Sequence, residues 1–211
     1  GHRRLARNDD RTAALLEADL GGALQQIFGQ PDGDPGTNML LTMRTAMEEV
    51  SRSSDNSASA IAKAMAWGAL MGARGNSGVI LSQILRGLAQ GLEGKESFDS
   101  GDIVAALAQS SSLAYKAVTQ PVEGTILTVI REVAAAANSD SANADLLTLM
   151  ESLVAEARAS VARTPSLLSV LHEAGVVDAG GQGLYVLLEG ILRYLRGEEI
   201  GEIIPGYRPS L

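Results

Sequence analysis

The spacing of apolar residues constrains the fold of this chain more than any other feature. Apolar side chains recur every three or four residues in one segment after another, which is the pattern of an α-helix with one buried face. Clear examples are Leu40, Met43, Met47 and Val50; Ile80, Ile84 and Leu88; Ile126, Ile130 and Val133; and Leu184, Leu188, Ile191 and Leu195. Convincing strands are absent, since Gly175–Val177 is too short to count. The sequence therefore predicts an all-α protein.

Further helices follow from the same periodicity. They are predicted over Arg11–Phe28, Ala58–Ala73, Asp102–Thr119, Asp145–Ala162 and Ser166–Ala174. Asn38 is interpreted as the cap of the helix that contains Leu40, and the "RTPS" stretch at 163–166 is interpreted as a turn. Aromatic residues make up only 3% of the 211 residues, so the core must consist of Ala, Leu, Ile, Val and Met side chains.

Composition excludes several classes of function. A net charge of -8 argues against nucleic-acid and anionic-membrane partners. Without cysteine the chain forms neither disulfides nor thiolate metal sites, which fits a reducing, cytoplasmic location. No apolar run reaches the roughly 18 residues of a membrane span. We expect one domain over 11–200, preceded by a disordered or tag-derived segment (1–10) without the apolar stretch of a secretory signal, and followed by the start of a linker (201–211).

The predicted loops fall into two classes, polar ordinary loops and loops that are rich in glycine and chemically selective. The ordinary loops cover 51–59, 94–102 and 138–145, and the Gly-rich loops cover Gly29–Asn38, Gly72–Gly78, Pro121–Thr125 and Gly175–Gly183. If successive helices run antiparallel, loops alternate between the two ends of a bundle. The first three Gly-rich loops then meet at one end, and the fourth reaches that end only if the short segment after Pro165 counts as a helix. One end of the bundle is therefore predicted to carry the chemistry.

Asp32 and Asp34 stand out in the first Gly-rich loop. Two carboxylates separated by one residue can converge on a hard cation through oxygen ligands. An EF-hand is excluded, because Thr37 and Met43 occupy the positions where that loop needs Gly and Glu. Mg²⁺ held by a few carboxylates and completed by phosphate oxygens fits better. A solvated turn, in which an aspartate caps the next helix, fits equally well.

Two of the other Gly-rich loops supply groups for an anion and a base. Gly75, Asn76 and Ser77 open a helix whose backbone N–H groups can bind a phosphate. Taken alone, this loop is explained more simply as a C-cap glycine followed by a Ser or Asn cap. Thr125 and Ile126 open another helix, where a hydroxyl beside an apolar side chain would suit the edge of a purine base.

The last Gly-rich loop offers Asp178 for a sugar hydroxyl or for a water on a metal. A dinucleotide-binding fingerprint is excluded there, because Val186 stands where the third glycine is needed. No nucleophile triad stands out, and His172 is best explained as a structural histidine. The loops together indicate a cation site, a phosphate site and a sugar or base site at one end of the bundle. This combination is typical of a nucleotide-binding protein.

Four motifs, in order along the chain, resemble one known family. They are "PDGDPGTNM", "MGARGNSGVILSQILRG", "EGTILTVIREV" and "LHEAGVVDAGGQGLYVLLEG". They resemble the nucleotide-binding domain of the dihydroxyacetone kinase L-subunit (DhaL-type) family, in particular the N-terminal domain of the bacterial fatty acid kinase A subunit. The resemblance runs from about Arg11 to Gly197. It implies a closed antiparallel barrel of about eight helices that binds Mg²⁺-ATP at one end.

The resemblance implies that Asp32 and Asp34 hold Mg²⁺ and thereby serve catalysis. It implies contacts with ATP or ADP at Gly36, Thr37, Asn38, Gly75, Asn76, Ser77, Thr125, Ile126, Asp178, Ala179 and Gly180. The first six of these positions match the family's phosphate loops, the next two its nucleotide-contacting pair, and the last three its element near ribose and base. Ile27 departs from the family by replacing a third aspartate of the dihydroxyacetone kinases. Gln26 and Pro35 replace an Asn and a Thr that are usual in the fatty acid kinase relatives. The number of bound metal ions, one or two, is therefore left open.

The function implied by the resemblance is a kinase domain, a phosphotransferase that is incomplete on its own. It would donate the γ-phosphate of ATP to an acceptor held by a C-terminal domain or by another protein, such as a fatty acid on a carrier protein. Two alternatives stay open, a non-catalytic nucleotide-binding regulator and a dihydroxyacetone (glycerone) kinase L-type subunit. The oligomeric state is open as well, with a homodimer as one option.

Overall fold

The computed structural model describes residues 35–137 and 143–198, and within these stretches the chain forms helices and no strand. The helices are α1 (Pro35–Ser51), α2 (Ala58–Met71), α3 (Gly75–Gly91), α4 (Ser100–Lys116), α5 (Ile126–Ala136), α6 (Leu146–Leu167), α7 (Ser169–Ala174) and α8 (Ala179–Arg196). The predicted all-α fold is confirmed. The predicted helix Arg11–Phe28, the segments 1–10 and 201–211, and the carboxylates of Asp32 and Asp34 lie outside the described residues.

Two of the helices that follow Gly-rich loops, α1 and α8, begin earlier than predicted. α1 begins at Pro35, so Asn38 lies in its first turn, and the interpretation of Asn38 as its cap was wrong. Proline suits the first helical position, because its fixed φ is already helical and its missing N–H would have no partner there. α8 likewise begins at Ala179, within the Gly-rich loop, because the carboxylate of Asp178 caps it.

The turn predicted at 163–166 was also wrong, because α6 continues through Pro165 to Leu167. Proline has no N–H to donate to the carbonyl four residues earlier in the helix. That carbonyl belongs to Val161, and it accepts the hydroxyl of Thr164 instead, at 2.7 Å. The hydroxyl therefore replaces the missing donor near the end of the helix.

Helices that are neighbours in the sequence pack antiparallel and close into a ring. Gly87 and Gly91 of α3 contact Ser110 and Ala106 of α4, in reverse order along the chain. A β-carbon at either glycine would overlap the backbone of α4, so these two helices approach closely. Contacts run from each of α1 to α5 to the next helix, from α6 to α8, and from α8 back to α1, so the bundle is closed.

Two pairs of helices run parallel, and in each pair the two starts lie together. Gly75, the first residue of α3, contacts Asn38 in the first turn of α1, and Gly78 contacts Thr42 one turn later. The corresponding contacts between α8 and α5 are Gly180 with Ile126 and Gly181 with Val129. The α1/α3 pair and the α5/α8 pair are therefore built in the same way.

Both parallel pairs begin at the same end of the bundle, which we call the site end. α4 runs antiparallel to α3, so it ends at the level where α3 begins. Tyr115, in the last turn of α4, contacts Glu123 just before α5 and Arg131 within it, so α5 begins at that level too. α7 has only six residues and does not span the bundle. The chain therefore stays at the site end after α6, and the fourth Gly-rich loop lies there. The sequence predicted this position only if the segment after Pro165 acted as a further helix of the bundle, but the loop lies at the site end because that helix is too short to cross the bundle.

The core consists of aliphatic side chains, as the low aromatic content predicts. Fully buried side chains include Met39, Leu81, Leu127, Val129, Ile130, Val133, Leu149, Leu153 and Val186. They come from both parallel pairs and from α6, so a single core supports the site end. None of the helices within 35–137 and 143–198 is both long enough and apolar enough to span a membrane.

Candidate functional site

The site end carries an open cleft between the starts of α1 and α3. The cleft has a volume of about 690 Å³ and is lined by Pro35, Asn38, Arg74, Gly75, Asn76 and Ser77. All six lie in the first two Gly-rich loops, and Asn38, Gly75, Asn76 and Ser77 are among the positions that the resemblance assigns to phosphate binding. The cleft is therefore built mainly from residues whose type and order predicted an anion site.

The start of α3 faces this cleft without a side-chain cap. Its N-cap residue, Arg74, has an extended backbone and makes no side-chain capping hydrogen bond. The first N–H groups of a helix have no carbonyl partner within the helix, so those of Gly75, Asn76 and Ser77 need an acceptor from elsewhere. Because the helix dipole also places partial positive charge there, a phosphate group is a suitable acceptor.

Close packing of α1 on α3 shapes one wall of the cleft. Gly75 has a φ of 55°, in the left-handed region that favours glycine. A β-carbon at Gly75 would overlap the side-chain amide of Asn38. The glycine thus serves two purposes, since it allows the turn and lets Asn38 approach the start of α3.

Thr42, which was not among the predicted site residues, holds α1 against the start of α3. Its hydroxyl donates to the carbonyl of Asn38 at 2.7 Å and accepts the N–H of Arg74 at 3.3 Å. The side chain is fully buried. A polar residue three positions after Met39, on the core-facing stripe of α1, was the signal that could have identified it.

The starts of α5 and α8 meet at Asp178. Its carboxylate accepts the N–H of Gly181 at 2.6 Å, which caps α8, and the backbone N–H groups of Ile126 and Gly180 lie close enough to lower its pKa. Thr125 caps α5 by accepting an N–H of the first turn at 3.3 Å. The carboxylate of Asp178 therefore caps one helix start and lies beside another.

The environment of Asp178 is unusual for a capping residue. Burial raises the pKa of its carboxyl above the ordinary value, although the nearby backbone N–H groups of Gly181, Ile126 and Gly180 act in the opposite direction. Its own backbone N–H donates to the hydroxyl of Thr164 at 2.9 Å. A partly desolvated carboxylate at the mouth of a bundle is typical of a functional site. The contribution of Thr164 was not predicted, because it depends on α6 reaching the site end.

The structure brings the predicted nucleotide residues together in two groups. The α1/α3 side comprises Gly36, Thr37, Asn38, Gly75, Asn76 and Ser77, and the α5/α8 side comprises Thr125, Ile126, Asp178, Ala179 and Gly180. The predicted metal ligands Asp32 and Asp34 lie outside the described residues. Among residues 35–137 and 143–198, no three His, Asp or Glu side chains cluster in a way that could hold a metal ion.

Comparison with known proteins identifies a family for most of the chain. The family model described as the DAK2 domain matches residues 30–193. Over 184 residues the chain is 45% identical to uncharacterized proteins of Staphylococcus aureus, in strains USA300, NCTC 8325 / PS 47 and MRSA252. The match covers 87% of this chain and 33% of each relative, so the chain spans about a third of the length of the curated relatives it matches.

Proposed function

This chain belongs to the DAK2 domain family, the nucleotide-binding domains of the dihydroxyacetone kinases, and we propose that it binds Mg²⁺-ATP at the site end and presents the γ-phosphate to an acceptor. The observation that carries this proposal is the grouping of four helix starts, those of α1, α3, α5 and α8, around residues of the predicted nucleotide loops. Parallel helices direct the positive ends of their dipoles to the same end of the bundle. That arrangement favours a polyanion such as a triphosphate.

We propose that the α1/α3 side binds the phosphates. The uncapped start of α3 supplies backbone donors, and the side chains of Asn38, Asn76 and Ser77 can add amide and hydroxyl donors. Arg74 lines the same cleft and adds positive charge. In phosphoryl transfer the protein mainly positions the groups and neutralises charge, so donors of this kind are what the reaction requires.

We propose that the α5/α8 side binds the ribose and the base. The carboxylate of Asp178 can accept a ribose hydroxyl, and Thr125 with Ile126 can flank one edge of a purine. A β-carbon at Gly180 would lie 3.3 Å from Cβ of Ile126, so a larger residue at this position would narrow the space between the two helix starts.

Asp32 and Asp34 are proposed to hold one or two Mg²⁺ ions. Asp34 directly precedes α1 in the sequence, and Asp32 lies two residues before Asp34. Both are therefore connected to a helix start that lines the cleft. Bound Mg²⁺ would neutralise charge on the phosphate oxygens. The described donors of α3 fit the phosphates, and the two aspartates would complete the site from the α1 side.

We propose that the acceptor lies on a C-terminal domain or a separate protein, because the chain spans only about a third of the length of its relatives. A fatty acid on a carrier protein is the acceptor that the resemblance to fatty acid kinases implies. The isolated chain is therefore expected to bind ATP and to turn it over slowly. The alternative of a non-catalytic regulator is favoured by Ile27, which stands in place of a third aspartate.

Calorimetric titration with ATP tests the proposal. Wild type and Asp34→Ala are measured with and without Mg²⁺. We expect Mg²⁺ to tighten binding by wild type about tenfold, the equivalent of roughly 1.4 kcal/mol, and we expect Asp34→Ala to lose that gain. The same affinity in all four conditions would contradict the metal role, and no ATP binding by wild type would overturn the proposed function.

Asp55→Ala is the matched control for this experiment. Asp55 is also an aspartate in a loop next to α1, but the loop lies at the end opposite the site end, where its carboxylate accepts the N–H of Ser57 at 2.8 Å. We expect Asp55→Ala to bind ATP as wild type does and to keep the full effect of Mg²⁺.

A further inference from the structure

Glu123, in the loop before α5, accepts hydrogen bonds on both carboxylate oxygens. Oε1 accepts the hydroxyl of Tyr115 at 3.0 Å and the guanidinium of Arg131 at 2.6 Å. Oε2 accepts the hydroxyl of Thr128 at 2.6 Å. The donors come from the last turn of α4 and from two turns of α5, so the carboxylate connects these helices at the site end.

Thr128 links the carboxylate of Glu123 to the backbone of Gly124. It is fully buried, and its hydroxyl has a single hydrogen, which it donates to Glu123. The oxygen is then oriented to accept the N–H of Gly124, at 2.8 Å. The direction of both hydrogen bonds is therefore set by the ionised carboxylate of Glu123.

Gly124 forms the turn that leads into α5, and it packs closely against the end of α6. Its φ is 79°, and a β-carbon there would lie 2.8 Å from Cβ of Leu168 and 3.0 Å from the carbonyl oxygen of Thr164. The turn is held on one side by the end of α6 and on the other side by Thr128. The position of the residue that follows, Thr125, depends on this turn.

The residues after Gly124 belong to the α5/α8 side of the site. Thr125 caps α5, and its hydroxyl donates to the carbonyl of Val122 at 2.8 Å. Ile126 packs against the start of α8, where a β-carbon at Gly180 would lie 3.3 Å from its Cβ, and its backbone N–H lies close enough to Asp178 to lower the pKa of that carboxyl. A shift of the turn at Gly124 would therefore change the distance between the start of α5 and the carboxylate of Asp178, which caps α8.

The charges around Glu123 keep it in the form that these hydrogen bonds require. Partial burial raises the pKa of its carboxyl, but the hydrogen bonds from Thr128 and Tyr115 and the charge of Arg131 outweigh this and lower the pKa. Burial and the neighbouring carboxylate raise the pKa of Tyr115 to about 12. At neutral pH, Glu123 is thus ionised and Tyr115 keeps the proton that it donates.

We propose that Glu123 is a positioning residue for nucleotide binding, which acts through Thr128 and Gly124 to hold the start of α5 against Asp178. The inference rests on the proposed function, since it takes the α5/α8 side to be the place of the ribose and the base. Glu123 itself does not touch the nucleotide in this scheme. Its removal should weaken binding without removing any group that contacts the ligand.

The experiment compares ATP affinity, measured by calorimetry, with melting temperature for four variants. Thr128→Val removes the buried hydroxyl with little change of shape, and Thr128→Ser retains it. Glu123→Gln keeps only one acceptor oxygen, so it cannot accept from Thr128 on one side and from Tyr115 and Arg131 on the other. Ser110→Ala is the matched control, because it also removes a buried hydroxyl, one that donates to the carbonyl of Ile84 at 2.8 Å between α3 and α4.

We expect Thr128→Val and Glu123→Gln to weaken ATP binding about tenfold and about fivefold, and Thr128→Ser to stay within about twofold of wild type. Those changes correspond to roughly 1 to 1.4 kcal/mol. Ser110→Ala should lower the melting temperature and leave ATP affinity unchanged. This pattern would separate positioning from general stability, because destabilisation alone would affect Thr128→Val and Ser110→Ala alike.

Two results would overturn the positioning role while leaving the proposed function in place. One is wild-type ATP affinity in Glu123→Gln, and the other is the same loss of affinity in Ser110→Ala as in Thr128→Val. If Thr128→Val does not fold, Glu123→Gln carries the comparison alone, since the Glu123 side chain is 44% exposed and tolerates a change. Absence of ATP binding by wild type would overturn the proposed function and this inference together.

Discussion

The two sides of the site end differ in the way their helices begin. On the α5/α8 side, Thr125 and Asp178 cap their helices with side-chain oxygens, whereas on the α1/α3 side α3 begins after Arg74 without such a cap. The helices that begin at the opposite end, α2, α4 and α6, are capped by Ser57, Asp99 and Asp145. An uncapped start at the cleft is thus an exception among the long helices whose cap positions lie in 35–137 and 143–198.

This difference separates two ways of binding a ligand. In a capped start a side-chain oxygen of the protein already accepts one of the first N–H groups, so fewer of them remain for a ligand. An uncapped start forgoes roughly 1 kcal/mol of capping free energy and keeps its N–H groups for an anion. The α3 start is therefore suited to phosphates, whereas the α5/α8 side presents groups that the protein has already oriented.

The largest effect is expected from Gly75→Ala, on the uncapped side. An alanine there would be strained at φ 55° and would overlap the amide of Asn38. We expect ATP affinity to fall about thirtyfold, the equivalent of roughly 2 kcal/mol, together with a loss of about 1–2 kcal/mol in stability from the left-handed backbone. Calorimetry and urea unfolding would measure the two losses separately.

Gly94→Ala provides the control for this prediction. Gly94 has a φ of 72°, nothing lies within 4 Å of the added β-carbon, and it follows α3 at the opposite end of the bundle. The same backbone strain should lower stability without changing ATP affinity. If both variants lost affinity equally, the loss would reflect destabilisation, and the contrast between the two sides would have no support.

A smaller effect is expected from Asp178→Asn, on the capped side. Asparagine also caps helices, but it removes the charge that the ribose is proposed to meet, so we expect ATP affinity to fall about fivefold, or roughly 1 kcal/mol. Stability should respond in the opposite sense. Because burial raises the folded-state pKa of Asp178 above its ordinary value of 3.8, the contribution of Asp178 to stability is fully present below that value and is lost as the pH rises through the folded pKa.

Asp178→Asn avoids this loss, so it should be at least as stable as wild type at pH 7. Its advantage should shrink as the pH falls toward 3.8, the ordinary value. Urea unfolding of both proteins at several pH values between 7 and 4 would measure the trend. A variant that is less stable than wild type at pH 7 and closer to it in acid would contradict the assignment of Asp178 as a desolvated carboxylate.

Much of the fold could be predicted because the core is aliphatic and its periodicity is uninterrupted. Helices such as α5 and α8 follow directly from that period. The errors at Asn38 and at Thr164 with Pro165 have a different origin. Whether a polar residue caps a helix, lies inside its first turn or replaces a missing N–H depends on the backbone around it, and periodicity does not report on that.

The two groups of candidate site residues could be named from the sequence, since each group comes from two Gly-rich loops of distinctive composition. The residues that hold these loops could not. Thr42 bonds to the N–H of Arg74, 32 residues away, and Thr164 bonds to that of Asp178, 14 residues away. In the sequence, such a threonine cannot be distinguished from an ordinary helical residue, because its hydrogen-bond partner lies on an element that only the fold brings near.

The smallest effect is expected from removing one cap at each end of the bundle. Thr125→Ala and Ser57→Ala each delete a side-chain oxygen that accepts an N–H of a first helical turn, at 3.3 Å in α5 and 3.2 Å in α2. Both variants should lose about 1 kcal/mol of unfolding free energy. Only Thr125→Ala should also weaken ATP binding, by about threefold or roughly 0.7 kcal/mol, because Ser57 lies at the end opposite the site end. Equal ATP affinities in the two variants, with equal losses of stability, would mean that Thr125 serves α5 alone and that the nucleotide is bound elsewhere on the site end.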